Sequence, residues 1–168
     1  MKYISTRDPH QSPVAFSDIL LRGLAPDGGL YVPESYPQWN SSDLSRFRSL
    51  LNSQGYPALA AEIISYFVDD IPRDDIEQMT QRAYRVPRFA NPDIVPVSEL
   101  EDGLFIGHLS EGPTAAFKDM AMQLLSELFE YELSRRSSTL NIVGATSGDT
   151  GSSAEYAMRG RRGIRVFM

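Results

Sequence analysis

The sequence predicts an α/β chain in which a mostly helical N-terminal region leads into the start of a parallel sheet. Three observations predict it. Up to about residue 92, apolar side chains recur at helical three- and four-residue spacing. From residue 93 onward, short apolar runs alternate with helical stretches in the order β-α-β-α-β. The segments that join those runs to helices are rich in glycine and hydroxyls, the chemistry of turns. We therefore expect a helical domain over 1–92 and an α/β domain over 93–168.

Taken in order, residues 13–23 read as a short helix with Gly23 near its C-terminal cap. Pro26-Asp27-Gly28-Gly29 supplies turn chemistry, and Leu30-Tyr31-Val32 is a short extended piece closed by Pro33. Ser41, Ser42 and Asp43 offer caps for a helix through about residue 51. A third helix carries Leu59, Ile63 and Phe67 at four-residue spacing. Pro72 at a first helical position, followed by Asp74 and Asp75, opens a fourth with Ile76, Met79 and Ala83 on one side, and Val86-Pro87 ends it.

After Asn91-Pro92 the pattern changes. Residues 94–97 and 104–107 are expected strands flanking a Glu101-Asp102-Gly103 hairpin turn. A long helix over 116–134 sets Phe117, Met120, Leu124 and Leu128 on one side and Gln123, Glu127 and Glu130 opposite. Residues 140–143 read as a buried strand, 152–159 as a short helix stopped by Gly160, and 164–168 as a further strand. Strands alternating with helices imply a parallel sheet with right-handed crossovers. Because the sequence stops on an apolar strand, we expect a C-terminally truncated sheet.

Composition narrows the function. A net charge of −6 argues against a nucleic-acid surface. The Arg159, Arg161, Arg162 and Arg165 cluster is expected as a solvated helix C-terminus, where cations oppose the negative end of the dipole. No run approaches the roughly 20 apolar residues that span a bilayer, and the N-terminus has no apolar signal core. With no cysteines, disulfides and thiolate metal sites are excluded, which fits the cytoplasm; no metal is expected. Of the sixteen Lys and Arg residues only Lys2 and Lys118 are lysines. A sequence that otherwise uses arginine but keeps one internal lysine points to a need for an amine, since arginine forms no Schiff base.

Ligand crevices in open α/β sheets lie beyond the carboxyl ends of the strands, and two loops fall there. In the first, residues 110–119, Lys118 sits at a helix start. Helix dipole and partial burial there both favour the neutral, nucleophilic amine. The alternative is an exposed lysine paired with Asp119 or Glu111. The second, residues 144–153, is a glycine- and hydroxyl-rich turn at a helix N-terminus, suited to carboxylate or phosphate. It matches neither the Walker A nor the GxGxxG spacing. Its alternative is a tight turn capped by Asp149 or Thr150. Two such loops at neighbouring strand ends point to an active site.

At these loops the sequence resembles the threonine synthase family of fold-type-II pyridoxal-phosphate enzymes. Gly112-Pro113-Thr114-Ala115-Ala116-Phe117-Lys118-Asp119 looks like the family's lysine motif, and Ala145-Thr146-Ser147-Gly148-Asp149-Thr150-Gly151 like its substrate-carboxylate loop. Tyr3-Ile4-Ser5-Thr6-Arg7 and the segment from Gly23 to Pro33 resemble its N-terminal domain. Related dehydratases and cysteine synthases typically carry Asn where Asp149 stands and lack the Asp-Gly-Gly-Leu-Tyr-Val-Pro piece.

The resemblance implies that pyridoxal 5'-phosphate is held by Lys118, and that O-phospho-L-homoserine and water become L-threonine and phosphate. It implies that Lys118 shuttles protons, that Ser147, Gly148, Asp149 and Thr150 hold the substrate carboxylate, and that Phe117 packs near the cofactor ring. It places Asp149 by the cofactor's 3′ oxygen, and Thr114 and Ser110 near the leaving phosphate. The family's phosphate-binding cup and pyridine-nitrogen partner have no counterpart in these 168 residues, so full activity is expected only when a longer form or a second chain completes the site. Alternatives are a phospho-lyase that releases a keto acid from the same substrate, a non-catalytic helical binding module, and an anion-binding protein using the second loop as a nest. Oligomeric state is not readable from the sequence.

Overall fold

The computed structural model describes residues 1–8, 10 and 12–168. Two compact units, Met1–Gln78 and Met79–Met168, meet within one helix. The architecture is mixed α/β, and among the described residues the strands form three separate two-stranded sheets.

In the first unit, β1 (Tyr3–Ser5) and β2 (Tyr31–Pro33) pair antiparallel, with Ile4 opposite Val32. β1 is not anticipated from the sequence, because three residues are too few to show alternation. Tyr3 and Val14 also exchange backbone hydrogen bonds of 2.9 and 3.0 Å. α1 (Phe16–Leu20) is shorter than expected. α2 (Ser41–Ser65) contains the two expected helices, divided at Gly55, whose φ of 81° and ψ of −179° break the helical path. Its cap is Asn40, one residue before the expected Ser41-Ser42-Asp43. The Asn40 side chain accepts from the Ser42 and Asp43 amides, and Asp43 accepts from the Asn40 amide in return. Trp39, Phe47 and Tyr66 then pack edge to face. α3 (Arg73–Ala83) crosses into the second unit and buries Ile76, Met79 and Ala83 as its spacing requires.

In the second unit, β3 (Val97–Glu101) and β4 (Leu104–Gly107) form the expected hairpin, with Gly103 at φ 76°. The first strand begins at Val97 instead of residue 94. Asn91 takes up the amides of Asp93 and Ile94 in a tight turn, which leaves Ile94 buried at φ 65°. Every residue of both strands is exposed.

α4 (Asp119–Arg135) begins three residues later than expected, leaving Phe117 outside it and exposed. Its polar side is also buried, against expectation: Gln123, Ser126 and Glu127 are nearly inaccessible. Glu127 can be buried because Arg82 and Arg161 hydrogen-bond to it, at 2.7 and 2.5 Å. Arg161 also bonds Glu130 and a carbonyl near the end of the following helix, so it is a structural ion-pair partner and not a solvated cation.

β5 (Leu140–Val143) and β6 (Ile164–Phe167) pair parallel in register, Leu140 with Ile164 through Val143 with Phe167, and α5 (Asp149–Met158) connects them. This is the expected start of a parallel sheet. β4 pairs only with β3, so the parallel sheet has two strands here. Both strands alternate half-buried and exposed residues, and Val143 is 79% exposed, so the expected fully buried strand is covered on one face only. No helix among the described residues is long and apolar enough to cross a membrane.

Candidate active site

The two loops singled out in the sequence adjoin each other within the second unit. The first descends from β4 and is anchored by the Ala90 amide, which donates to the Glu111 carbonyl at 2.8 Å. It turns at Gly112 and Ala115, where the Ala115 amide donates back to Gly112 and Ala115 has φ 57°. Lys118 follows as the residue capping α4, with helical dihedrals, and its carbonyl accepts from the Ala121 and Met122 amides. The amine therefore leaves the backbone at the positive end of a 17-residue helix.

Lys118 is half-buried and its Nζ lies 4.0 Å from the centre of the Phe117 ring. It forms no ion pair among the described residues. The pairing with Asp119 considered from sequence does not occur, because that carboxylate is turned inward. Asp119 is fully buried. Its Oδ2 accepts from the Thr114 amide at 2.8 Å, and its Oδ1 from the Ser153 hydroxyl at 2.8 Å. The Thr114 hydroxyl lies 2.9 and 3.0 Å from the two carboxylate oxygens and 2.9 Å from the Ser153 hydroxyl. An acidic side chain at the first position of α4 is also favoured by the helix dipole.

The second loop leaves β5 through Gly144 and reaches α5 at Gly148, whose φ of 133° and ψ of −63° only glycine adopts readily. Neither Asp149 nor Thr150 caps the helix. Thr146 does this instead: its Oγ1 accepts from the Gly148 amide at 3.2 Å and the Gly151 amide at 3.0 Å. A side chain on Gly151 would approach that oxygen to 2.6 Å, so the contact also requires glycine there. The first amides of α5, at Asp149 and Thr150, have no intrahelical acceptor and remain available to an anion. Ser147, Gly148 and Asp149 are exposed and Thr150 is half-buried.

Of the residues anticipated from sequence, Lys118 and Phe117 thus form one group, and Ser147, Gly148, Asp149 and Thr150 form a second at the start of α5. Thr114 directs its hydroxyl to Asp119 and Ser153, linking the two. Sequence reasoning gave no role to Ser153, Thr146 or Gly112. An acidic residue opening a helix was a visible signal for Asp119, whereas nothing local marks Ser153 as its partner 34 positions away. Among the described residues no cluster of His, Asp or Glu is suited to a metal ion.

Comparison with known proteins gives a consistent result. The family described as "Threonine synthase N terminus" matches residues 2–84. A threonine synthase of Corynebacterium glutamicum is 70% identical over 168 residues, 100% of this chain and 35% of that protein. One from Methylobacillus glycogenes is 56% identical, again over 100% of this chain and 36% of the relative. Among solved structures, PLP-bound threonine synthase from Brucella melitensis superposes with a TM-score of 0.89 at 41% identity, covering 99% of this chain and 35% of that one. The yeast threonine synthase gives 0.88 at 33% identity over 99% of this chain and 34% of that one. The chain therefore spans only 35% of the length of the first of these relatives.

Proposed function

We propose that this chain is the N-terminal portion of a member of the threonine synthase family, which it matches over residues 2–84 and along its whole length in the relatives above, and that it carries the lysine and the carboxylate-binding loop of a threonine synthase. The reaction we assign to the whole enzyme converts O-phospho-L-homoserine and water to L-threonine and phosphate. The observation that carries this reading is an internal amine, unpaired among the described residues, next to an aromatic ring at one helix start and tied to the start of a second helix.

The residues fit pyridoxal 5'-phosphate: Lys118 offers an amine without a competing carboxylate, and Phe117 an exposed ring beside it. When bound, that cofactor supplies an electron sink for the substrate's carbanionic charge. Lys118 would hold the cofactor through its amine and, when free, would carry protons at the substrate's α and β carbons. The Asp149 and Thr150 amides, with the Ser147 and Thr150 hydroxyls, bind the substrate carboxylate at the positive end of α5. Asp149 would hydrogen-bond the cofactor's 3′ oxygen, with one proton shared between the two groups. Thr114 stays near the leaving phosphate chiefly by fixing the loop, since its hydroxyl is directed to Asp119. The remaining contacts, including those to the cofactor phosphate, we assign to the part of the family's length that this chain does not span. We place the reaction in the cytoplasm.

The test joins residue 168 to the remainder of the Corynebacterium glutamicum relative and assays O-phospho-L-homoserine turnover. L-threonine and phosphate should appear in equal amounts. Lys118→Ala should lower the rate at least about 10²–10⁴-fold, the share of a positioned proton carrier. Phosphate with a keto acid and no threonine would replace the synthase with a phospho-lyase. Threonine formation unaffected by Lys118→Ala would remove Lys118 from the mechanism.

A further inference from the structure

We infer that Asp119 is a positioning residue that locks the Lys118 loop to the carboxylate-binding helix, so that amine and anion site are held as one body; the inference rests on the reading of Lys118 given above. As the residue directly after Lys118, Asp119 could neutralise the ammonium, and as the first residue of α4 it could cap that helix. Its oxygens instead accept from the Thr114 amide, the Thr114 hydroxyl and the Ser153 hydroxyl. Those donors belong to the lysine loop and to α5, one helical turn beyond Asp149.

Proton counting makes the carboxylate the hub. Each hydroxyl has one proton. If both point to Asp119, the 2.9 Å contact between Thr114 and Ser153 carries none; if Ser153 donates to Thr114, Thr114 donates to Asp119; and if Thr114 donates to Ser153, Ser153 donates to Asp119. In each case the chain of donors ends on the carboxylate. Asp119 and Ser153 are both fully buried, so no water can replace a lost partner without rearrangement. The packing is also shaped for this side chain: a Cβ on Gly112 would lie 2.4 Å from Cβ and 2.5 Å from Oδ2 of Asp119. With its side chain fixed from three directions, the backbone at Asp119 sets where the Lys118 stem leaves the loop.

The experiment is competitive acetylation of the 168-residue chain with isotopically labelled acetic anhydride across a pH series. Lys118 is scored against Lys2 by mass spectrometry, and folding of each variant is checked by circular dichroism. The ratio and its pH profile should change severalfold in Asp119→Asn and move the same way in Ser153→Ala and Thr114→Val. Thr114→Ser, which restores the hydroxyl, should return them to the original value. The double variant Asp119→Asn, Ser153→Ala should change the ratio no more than Asp119→Asn alone, as expected for one connected unit. If Asp119→Asn does not fold, Ser153→Ala and the Thr114 pair decide alone. Folded variants with an unchanged ratio and profile would overturn the inference. Uptake of pyridoxal phosphate by the unaltered chain is scored separately. A ratio that responds to the variants, with no selective uptake at Lys118 either in this chain or in the chain extended to the length of its relatives, would retain the positioning role and remove the cofactor reading.

Discussion

A methyl group added at Gly112 would collide with Asp119 at 2.4 Å, and neither side can yield, since Asp119 is held by three donors in a fully buried position. Gly112→Ala should therefore destabilise the second unit by about 1–3 kcal/mol, the usual cost of overpacking, measured by urea unfolding. An unchanged midpoint would mean the loop is free to move. Thr146 gives a second test at the same scale. Thr146→Val removes the acceptor of the Gly148 and Gly151 amides and should cost about 0.5–2 kcal/mol, while Thr146→Ser should cost much less. Residues of this kind differ in how far the sequence reveals them. Lys118 could be singled out as a candidate because Lys2 is the only other lysine and the loop has a recognisable pattern. Gly148 was legible as a turn glycine. The Thr146 cap could not be chosen over Asp149 or Thr150 without the φ of Gly148, and the Asp119–Ser153 bond joins residues 34 apart that no local pattern connects.

Among the elements, α4 departs most from its sequence pattern. Periodicity gave its apolar side, including Leu128, yet Glu127 is buried as well. Pattern reading treats a glutamate as solvent-facing; it cannot foresee arginines arriving from α3 and from the turn before β6. Two of the three arginines paired with Glu127, Arg82 and Arg161, provide a graded test, Arg88 being the more distant third at 3.9 Å. The Arg161 side chain is 12% exposed and that of Arg82 is 50% exposed, while Glu127 is 3% exposed. Arg161→Ala leaves a buried carboxylate without its buried partner and should cost about 3–5 kcal/mol. Arg82→Ala removes a half-exposed arginine that water can replace and should cost about 0–1 kcal/mol. Equal costs in chemical denaturation would show that burial does not govern this network. The hairpin of β3 and β4 shows the reverse case, since its turn residues fixed the type of element while the start of the first strand depended on the Asn91 turn.

For the whole molecule, pH dependence combines an acid and an alkaline limb. Burial disfavours the charged form of Glu62, but hydrogen bonds from Arg73 and Arg46 outweigh it and hold the carboxyl below its ordinary range. Glu130 behaves alike, with burial outweighed by the Arg162 amide and the Arg161 guanidinium. A carboxyl depressed on folding stabilises the folded state above its unfolded value, about 4.3 for glutamate, and loses that contribution as pH falls below it. Burial, with Asp70 and Asp69 adding repulsion, pushes the Tyr3 hydroxyl up to about 12. Its stabilisation is complete below the ordinary tyrosine value near 10 and disappears as pH rises toward 12. Urea midpoints should thus stay level from about pH 5 to 9 and fall on both sides, the alkaline fall being smaller but not abolished in Tyr3→Phe if that variant folds, because burial also raises the Tyr56 hydroxyl. Composition and motif order made the mixed α/β class and the likeness to threonine synthases legible, while the partition into three two-stranded sheets depends on pairings that a sequence pattern does not specify. The central claim is that Lys118 is the amine that takes the cofactor, and it is tested most directly by mixing the chain with pyridoxal phosphate, reducing with borohydride and mapping the modified peptides, with Lys2 and the α-amine as internal references. Selective modification of Lys118 is the predicted result. Labelling at Lys118 no greater than at Lys2, both in this chain and in the chain extended to the length of its relatives, would contradict the account.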